Sequence, residues 1–234
     1  MPRKKRAPEE VEAVREQILG HAVSLFVEEG FEGFSMRKLA ARVGVAVVTL
    51  YSYFRNKDDI YLAIVAHGLG LLSQKLAGAV HDSDAPLVRV RRMIETYVDF
   101  GLEEKNIYSL LFTLSVPKYD DYVGTPLEQS ALHALMEGGK VVELFAEAGK
   151  SLVKSIPAGA EDFALLRLTY YWIILHGFIA SHNSRSLHYL YAGPVSMKEH
   201  VIEEVVKGIL EEVSRAVEIV GSAPEPKPKP RKRS

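Results

Sequence analysis

Apolar residues recur at spacings of three and four along almost the whole chain, with no strand pairs and no internal repeat, so the pattern predicts an all-α fold. Ile18, Ala22, Leu25 and Phe26 share a face of a first helix that begins near Pro8-Glu9-Glu10 and stops at Gly30. From Ser35 to Lys57 the chain reads SMRKLAARVGVAVVTLYSYFRNK, two short helical patterns hinged at a glycine. Leu39 and Val43 give the first pattern an apolar face, and Gly44 suits the left-handed backbone of a turn. Val45 and Leu50 then fill the angle between the helices, and Ser35 is a good N-cap. This is the spacing of a helix-turn-helix, although an ordinary helical hairpin with a solvated basic face has the same spacing.

Asn56 caps a long fourth helix to about Val80, with Asp58 and Asp59 facing its N-terminal dipole. HDSDAP breaks it, and Leu87 to about Glu104 follows with Val90, Ile94, Tyr97 and Val98 on one face. A short apolar helix from Asn106 to Ser115 ends at Pro117, and PKYDDYVGTP reads as loop. Thr125-Pro126 starts a helix to about Gly149, in which Gly138-Gly139 marks a kink or a close approach of another backbone. Glu161 to about Asn183 is strongly apolar, and Ser196-Met197-Lys198-Glu199 is a capping box opening a last helix to about Val220.

Charge divides the chain differently. The net charge is −1, but residues 1–10 carry a local +2 and residues 221–234 a local +4, which leaves residues 11–220 at −7. An acidic body with basic ends limits indiscriminate adhesion to DNA and puts positive charge where it helps docking. Four parts are expected: a basic flexible arm at 1–10, a three-helix DNA-binding domain at 11–60, a helical bundle at 61–220, and a disordered basic Pro-rich tail at 221–234. The tail suits either a solubilising role or a DNA contact. Double-stranded DNA is the first partner to consider, because Arg37, Lys38, Arg42, Arg55 and Lys57 surround the hairpin with no acid among them.

The stretch VGVAVVTLYSYFRNKDDIYLAIV resembles the recognition-helix end of the tetracycline-repressor (TetR) family of bacterial transcription regulators. Thr49-Leu50-Tyr51, Tyr53-Phe54, Asn56-Lys57 and the acidic pair after them follow the family's pattern in order, and the upstream helix also fits, so the resemblance covers roughly residues 11–65. It implies a dimer that binds a palindromic operator, with recognition helices one DNA turn apart, about 34–36 Å, or a multiple of it. It also implies that Thr49, Tyr51, Tyr53 and Lys57 make phosphate and backbone contacts that set register, with Arg37 as guanine reader or phosphate clamp. The chain departs from the family at Ala46-Val47-Val48, where a polar residue is usual. Val47 and Val48 are left to read thymine methyls or shape.

The same resemblance implies that residues 61–220 bind a small effector and dimerise through the last two long helices; the fourth helix, from Lys57 to about Val80, is expected as the only covalent and rigid bridge to the reading head. Trp172, His176 and Gly177 form W-x-x-x-H-G, which looks like the signature of a Trp-His-Gly effector subfamily, and Tyr108 to Phe112 before a proline-bearing loop looks like it too. Gly177 would let another helix pack closely. Tyr97, Phe112, Phe145, Trp172 and His176 are the candidate effector residues, suited to an aromatic or fatty, weakly polar ligand. The same residues also suit a packed bundle core with a satisfied histidine.

Other classes fare worse. The chain has no cysteine, which excludes thiol sensing, Cys–zinc sites and disulfides. No nucleophile elbow, dinucleotide loop, Walker loop or H-E-x-x-H motif is present, so neither an all-α enzyme nor a cofactor is expected. His182 and His188 straddle a helix end and make a poor metal pair. No unbroken apolar run approaches the roughly 18 residues of a membrane span, and the basic N-terminus lacks a following apolar segment, so a cytoplasmic protein without membrane contact is expected. The main alternative to a ligand-responsive repressor is a helical protein-interaction module, which buried or self-paired Arg37, Thr49, Tyr51 and Lys57 would favour.

Overall fold

A computed structural model describes residues 8–152, 161–191, 193 and 196–221, so most of the expected arm and nearly all of the tail lie outside the described residues. Within them the chain is helical apart from turns and connectors. The first helix, α1 (Pro8–Gly33), runs past its expected end, because Gly30 at φ 71°, ψ 173° kinks the path and a final turn resumes after it. Ser35 caps α2 (Met36–Val43), its hydroxyl accepting from the Lys38 amide at 3.2 Å, and Gly44 closes the helix at φ 78°, ψ 31°. Next come α3 (Val47–Tyr51) and α4 (Lys57–Ala79), the latter capped by Asn56, which accepts from the Asp59 amide at 2.9 Å.

Beyond α4 the connectors differ more from expectation than the helices do. Pro86 opens α5 (Pro86–Glu103), and α6 (Lys105–Phe112) ends three residues short of Ser115. The segment expected as plain loop contains a 3-10 turn at Tyr119–Tyr122, after which α7 (Glu128–Lys150) runs through Gly138-Gly139 without a break. No close backbone approach replaces the kink: a Cβ at Gly138 would meet the Leu69 side chain of α4 at an ordinary 3.5 Å, and one at Gly139 would meet nothing within 4 Å among the described residues. The chain ends with α8 (Glu161–Asn183), a short α9 (Leu187–Leu190) that the sequence pattern does not announce, and α10 (Met197–Gly221).

Two hydrophobic cores result, and α4 belongs to both. Ile60, Tyr61, Leu62 and Ile64 join Ile18, Phe26, Leu39 and Leu50 in the first core, where Phe26 and Phe34 stack at 4.0 Å. Leu72 and Leu76 join Met93, Tyr97, Tyr108 and Ile179 in the second. By length and composition α4 is apolar enough to cross a membrane, contrary to the expectation from unbroken runs, because isolated polar residues such as His67 and Gln74 hide its high mean hydropathy. Its apolar side chains are the ones that build the two cores.

The α4 helix is the covalent bridge between the parts, but non-covalent contacts add a second link. Leu110 of α6, Tyr122 of the 3-10 turn, and Leu127, Ala131 and Ala134 at the start of α7 are buried in the first core. Tyr122 donates its hydroxyl to Asp58 Oδ1 at 3.0 Å, Tyr61 donates to the Pro117 carbonyl at 3.2 Å, and Arg55 Nη1 donates to the Pro126 carbonyl at 3.0 Å. The α6–α7 connection is therefore a second, non-covalent strap on the start of α4.

Candidate DNA-reading head and aromatic ligand site

Leu50 is wholly buried between α2 and α3, and this sets the register of α3: Val48, three-quarters exposed at 76%, and Tyr51 at 54% point outward. Thr49 and Tyr53 are half-buried at the edge of that face. Val47 is half-buried as well and packs on the first core, so of the two valines Val48 is the one turned out. α3 has no side-chain cap.

The five basic residues are not equivalent. Lys38 pairs with Glu29 at 2.8 Å and also donates to the Gly33 carbonyl, while Arg42 pairs with Glu28. Arg55 reaches the Pro126 carbonyl, as above. Lys57 lies over the Phe31 ring, 4.2 Å from its centroid, with Nζ 3.4 Å from the Phe31 carbonyl and 3.7 Å from Glu32. Acidic and carbonyl groups of α1 thus occupy three of the cations, and a phosphate contact by Lys57 has to replace these partners. Arg37, exposed on the first turn of α2, has no side-chain partner among the described residues. The signal for this sorting was the acidic pair Glu28-Glu29, fourteen and nine residues before the cations it meets.

In the body, α5, α6, α7 and α8 bring all five candidate effector residues together. Trp172 stacks on His176 with centroids 5.0 Å apart, Phe112 meets the edges of both rings at 6.2 and 6.4 Å, and Phe145 meets Tyr97 at 6.1 Å. Tyr108 is a sixth member, absent from the sequence-derived set although its segment drew notice. It sits between Tyr97 and His176, with hydroxyl contacts of 3.1 Å to Tyr97 and 2.8 Å to His176 Nδ1, and Trp172 Nε1 donates to the Tyr97 hydroxyl at 2.8 Å. Tyr97 and Tyr108 are buried, His176 is half-buried, and Trp172 remains 37% exposed, so the cluster has an inner polar seam and an accessible aromatic rim. Burial pushes the Tyr97 hydroxyl up to about 12, raises Tyr108 further, and lowers His176, which keeps all three neutral near pH 7.

Gly177 is exposed, and among the described residues no other helix comes near it; glycines that do admit a neighbouring helix include Gly68, Gly101 and Gly208, where a Cβ would stand 2.6 Å from Ile107, 2.7 Å from Ile179 and 2.9 Å from Tyr171. Leu166, Tyr170, Ile173 and Gly177 repeat at i, i+4, i+7 and i+11 and make an exposed stripe on α8. Arg167 ties α8 to α10 through Glu212, which also accepts from the Tyr171 hydroxyl at 2.9 Å. No group of three or more acidic, His or Cys side chains is placed to hold a metal among the described residues.

Residues 18–64 match the family described as bacterial regulatory proteins, tetR family, and residues 90–204 match a tetracyclin repressor-like, C-terminal domain. The chain is similar to the HTH-type transcriptional activator FasR of Mycolicibacterium smegmatis, 30% identical over 112 residues, 48% of each chain. It is also similar to the fatty acid metabolism regulator protein of Bacillus subtilis, 33% identical over 60 residues, 26% of this chain and 31% of that one. These matches span about half the length of the curated relatives, or less. Among solved structures, the TetR family regulator PfmR of Thermus thermophilus aligns with a TM-score of 0.59 at 19% identity, over 83% of this chain and 97% of that one. The fatty acid degradation regulator FadR of Bacillus halodurans aligns at 0.59 and 16% identity, over 88% and 97%. With a helix-turn-helix head and a helical body matched in order by the two family models, the chain has the fold and domains of a TetR-family transcriptional regulator.

Proposed function

We propose that this protein is a ligand-responsive repressor that binds a palindromic operator as a homodimer and is released by a small, mostly apolar effector. The observation that carries the reading is the sorting of the head's polar groups. Arg37, Val48 and Tyr51 face outward while α1 engages the neighbouring cations. A protein-interaction module calls for Arg37, Thr49, Tyr51 and Lys57 to be buried or self-paired, and among the described residues Lys57 is the one of these side chains with a partner. In this reading Arg37 and Val48 read bases or clamp phosphate, Thr49, Tyr51 and Tyr53 set register, and Val47 shapes α3 from beneath. A gel shift of the purified chain on its own upstream DNA tests it; no retarded band at low salt removes the repressor reading.

The dimer uses α8 and α10, and the exposed stripe of Leu166, Tyr170 and Ile173 supports that choice, since a two-fold interface needs a self-complementary apolar face. A monomer at micromolar concentration in analytical ultracentrifugation would overturn it. Tyr97, Phe112, Phe145, Trp172 and His176, with Tyr108, form the effector site, and Trp172, His176 and Gly177 act as the motif of the Trp-His-Gly subfamily. Two relatives are named for fatty acid metabolism or degradation, which accords with a ligand that has an alkyl part. Effector packed on Phe112 displaces α6 and, through Leu110 and the α6–α7 strap, the start of α4; a preference for the displaced state of about 1–3 kcal/mol then suffices to release DNA. Trp172→Ala should leave operator affinity of the free protein nearly intact and abolish its response to effector. A Trp172→Ala protein that unfolds or loses dimerisation instead makes Trp172 a core residue.

A further inference from the structure

Trp172, Tyr97, Tyr108 and His176 form a hydrogen-bonded chain whose direction is set by its first member. An indole N–H only donates, so the Tyr97 oxygen must accept from Trp172 at 2.8 Å. The Tyr97 proton then has one acceptor in the cluster, the Tyr108 oxygen at 3.1 Å. Tyr108 in turn gives its proton to His176 Nδ1 at 2.8 Å. The reverse order, with Nδ1–H donating to Tyr108 and Tyr108 to Tyr97, leaves the Tyr97 hydroxyl proton with no acceptor in a site where that residue is 2% exposed. Every buried proton is satisfied in one direction only. That direction makes His176 neutral, with its proton on Nε2, and among the described residues Nε2 has no partner.

We infer that the effector of this site, on the reading proposed above, is a neutral molecule whose polar end is a carbonyl-type hydrogen-bond acceptor, received by the Nε2–H of His176. Its apolar part lies along Phe112 and Trp172, the accessible rim. A carboxylate is disfavoured: among the described residues no Lys or Arg hydrogen-bonds to or stacks on the four groups, and the ring-stacked Arg167 serves Tyr170 and Tyr171 instead. A cationic or purely donating group meets the wrong end of the chain. The relay therefore acts as a specificity filter, because the tautomer of one half-buried histidine decides which polar ligands are accepted.

Two measurements on the full chain test this. Two-bond 1H–15N correlation of 15N-histidine-labelled protein, with His176 assigned by His176→Leu, should show the Nε2–H tautomer, and Tyr108→Phe should release it to a mixture. An Nδ1–H tautomer overturns the inference. Trp172 is the one tryptophan of the sequence, so its fluorescence reports the site directly. Titrations with 2-octanone, octane, octanoate and octylamine should give tightest binding for 2-octanone, about tenfold over octane, the ratio of one well-made hydrogen bond. His176→Leu should remove that preference, bringing 2-octanone and octane to equal affinity in that variant. Equal binding of 2-octanone and octane, tighter binding of octanoate or octylamine, or no saturable response to any probe overturns it. The regulator reading fails separately, in the gel shift, which none of these readouts involves.

Discussion

The head and the body are both built on buried aromatic clusters, yet they treat polar groups in opposite ways. In the head Phe26, Phe31, Phe34 and Tyr61 pack ring on ring, the buried hydroxyls of Tyr61 and Tyr122 each bond singly to Pro117 and Asp58, and the charged side chains lie outside, where acids of α1 neutralise Lys38, Arg42 and Lys57. In the body the polar groups are inside, as a hydrogen-bonded seam through the rings. A dry core suits a part that must hold one rigid shape against DNA. A polar seam that ends in a donor without a partner among the described residues suits the effector recognition proposed for the body.

The sharpest way to break this contrast is to open the dry core. Leu50→Ala removes a fully buried side chain between α2 and α3 and should cost about 3 kcal/mol in urea unfolding, with operator binding lost because α3 no longer holds its angle. A loss below about 1 kcal/mol would show a head that collapses around the cavity. The next largest effect falls on the strap between the two regions. Tyr122→Phe deletes the hydroxyl that donates to Asp58 and should cost about 1.5–2 kcal/mol, since the acceptor is charged. It should also weaken effector-driven release while leaving effector binding at the aromatic cluster unchanged, read by paired fluorescence and gel-shift titrations.

A smaller effect separates the head's cations. Arg37→Ala should leave stability within about 0.5 kcal/mol and lower the salt slope of operator binding by roughly one. Lys57→Ala should do the reverse, costing about 0.5–1 kcal/mol through the lost Phe31 contact with little change in slope. A Lys57→Ala protein with normal stability and a lower slope would return Lys57 to the phosphate contacts. The smallest effect is in pH. Burial lowers the pKa of His176 below 6.5, so the unfolded chain binds the proton first on acidification. The stability this contributes is fully present above pH 6.5 and is lost as pH falls below it, and His176→Leu should flatten that part of a thermal-unfolding profile.

The head was largely legible because its determinants are local. Ser35, Gly44 and Asn56 are caps and a turn within a few residues of what they control, and each adopts the geometry its chemistry favours. Candidate residues of the body were also legible as types, since Tyr97, Phe112, Phe145, Trp172 and His176 do meet. Tyr108 escaped selection because its role depends on lying between Tyr97, eleven residues earlier, and His176, sixty-eight residues later. The α6–α7 strap escaped for the same reason: PKYDDYVGTP has the composition of a loop, and its order comes from partners at Asp58, Arg55 and Tyr61.

The long helices, the caps at Ser35 and Asn56, the helix-turn-helix and the resemblance to the TetR family could be read from local pattern, because helical period and capping act over three to seven residues. Folding in three dimensions sets which of the hairpin's cations lack a partner among the described residues, which valine of α3 faces outward, and in which direction the inferred hydrogen-bond chain runs from Trp172 to His176. Those outcomes depend on groups far apart in the chain competing for the same partners: Glu28 and Glu29 for the hairpin's cations, and two buried hydroxyls for one indole proton and one imidazole nitrogen. Periodicity says nothing about such competition, and distance in the folded molecule settles it.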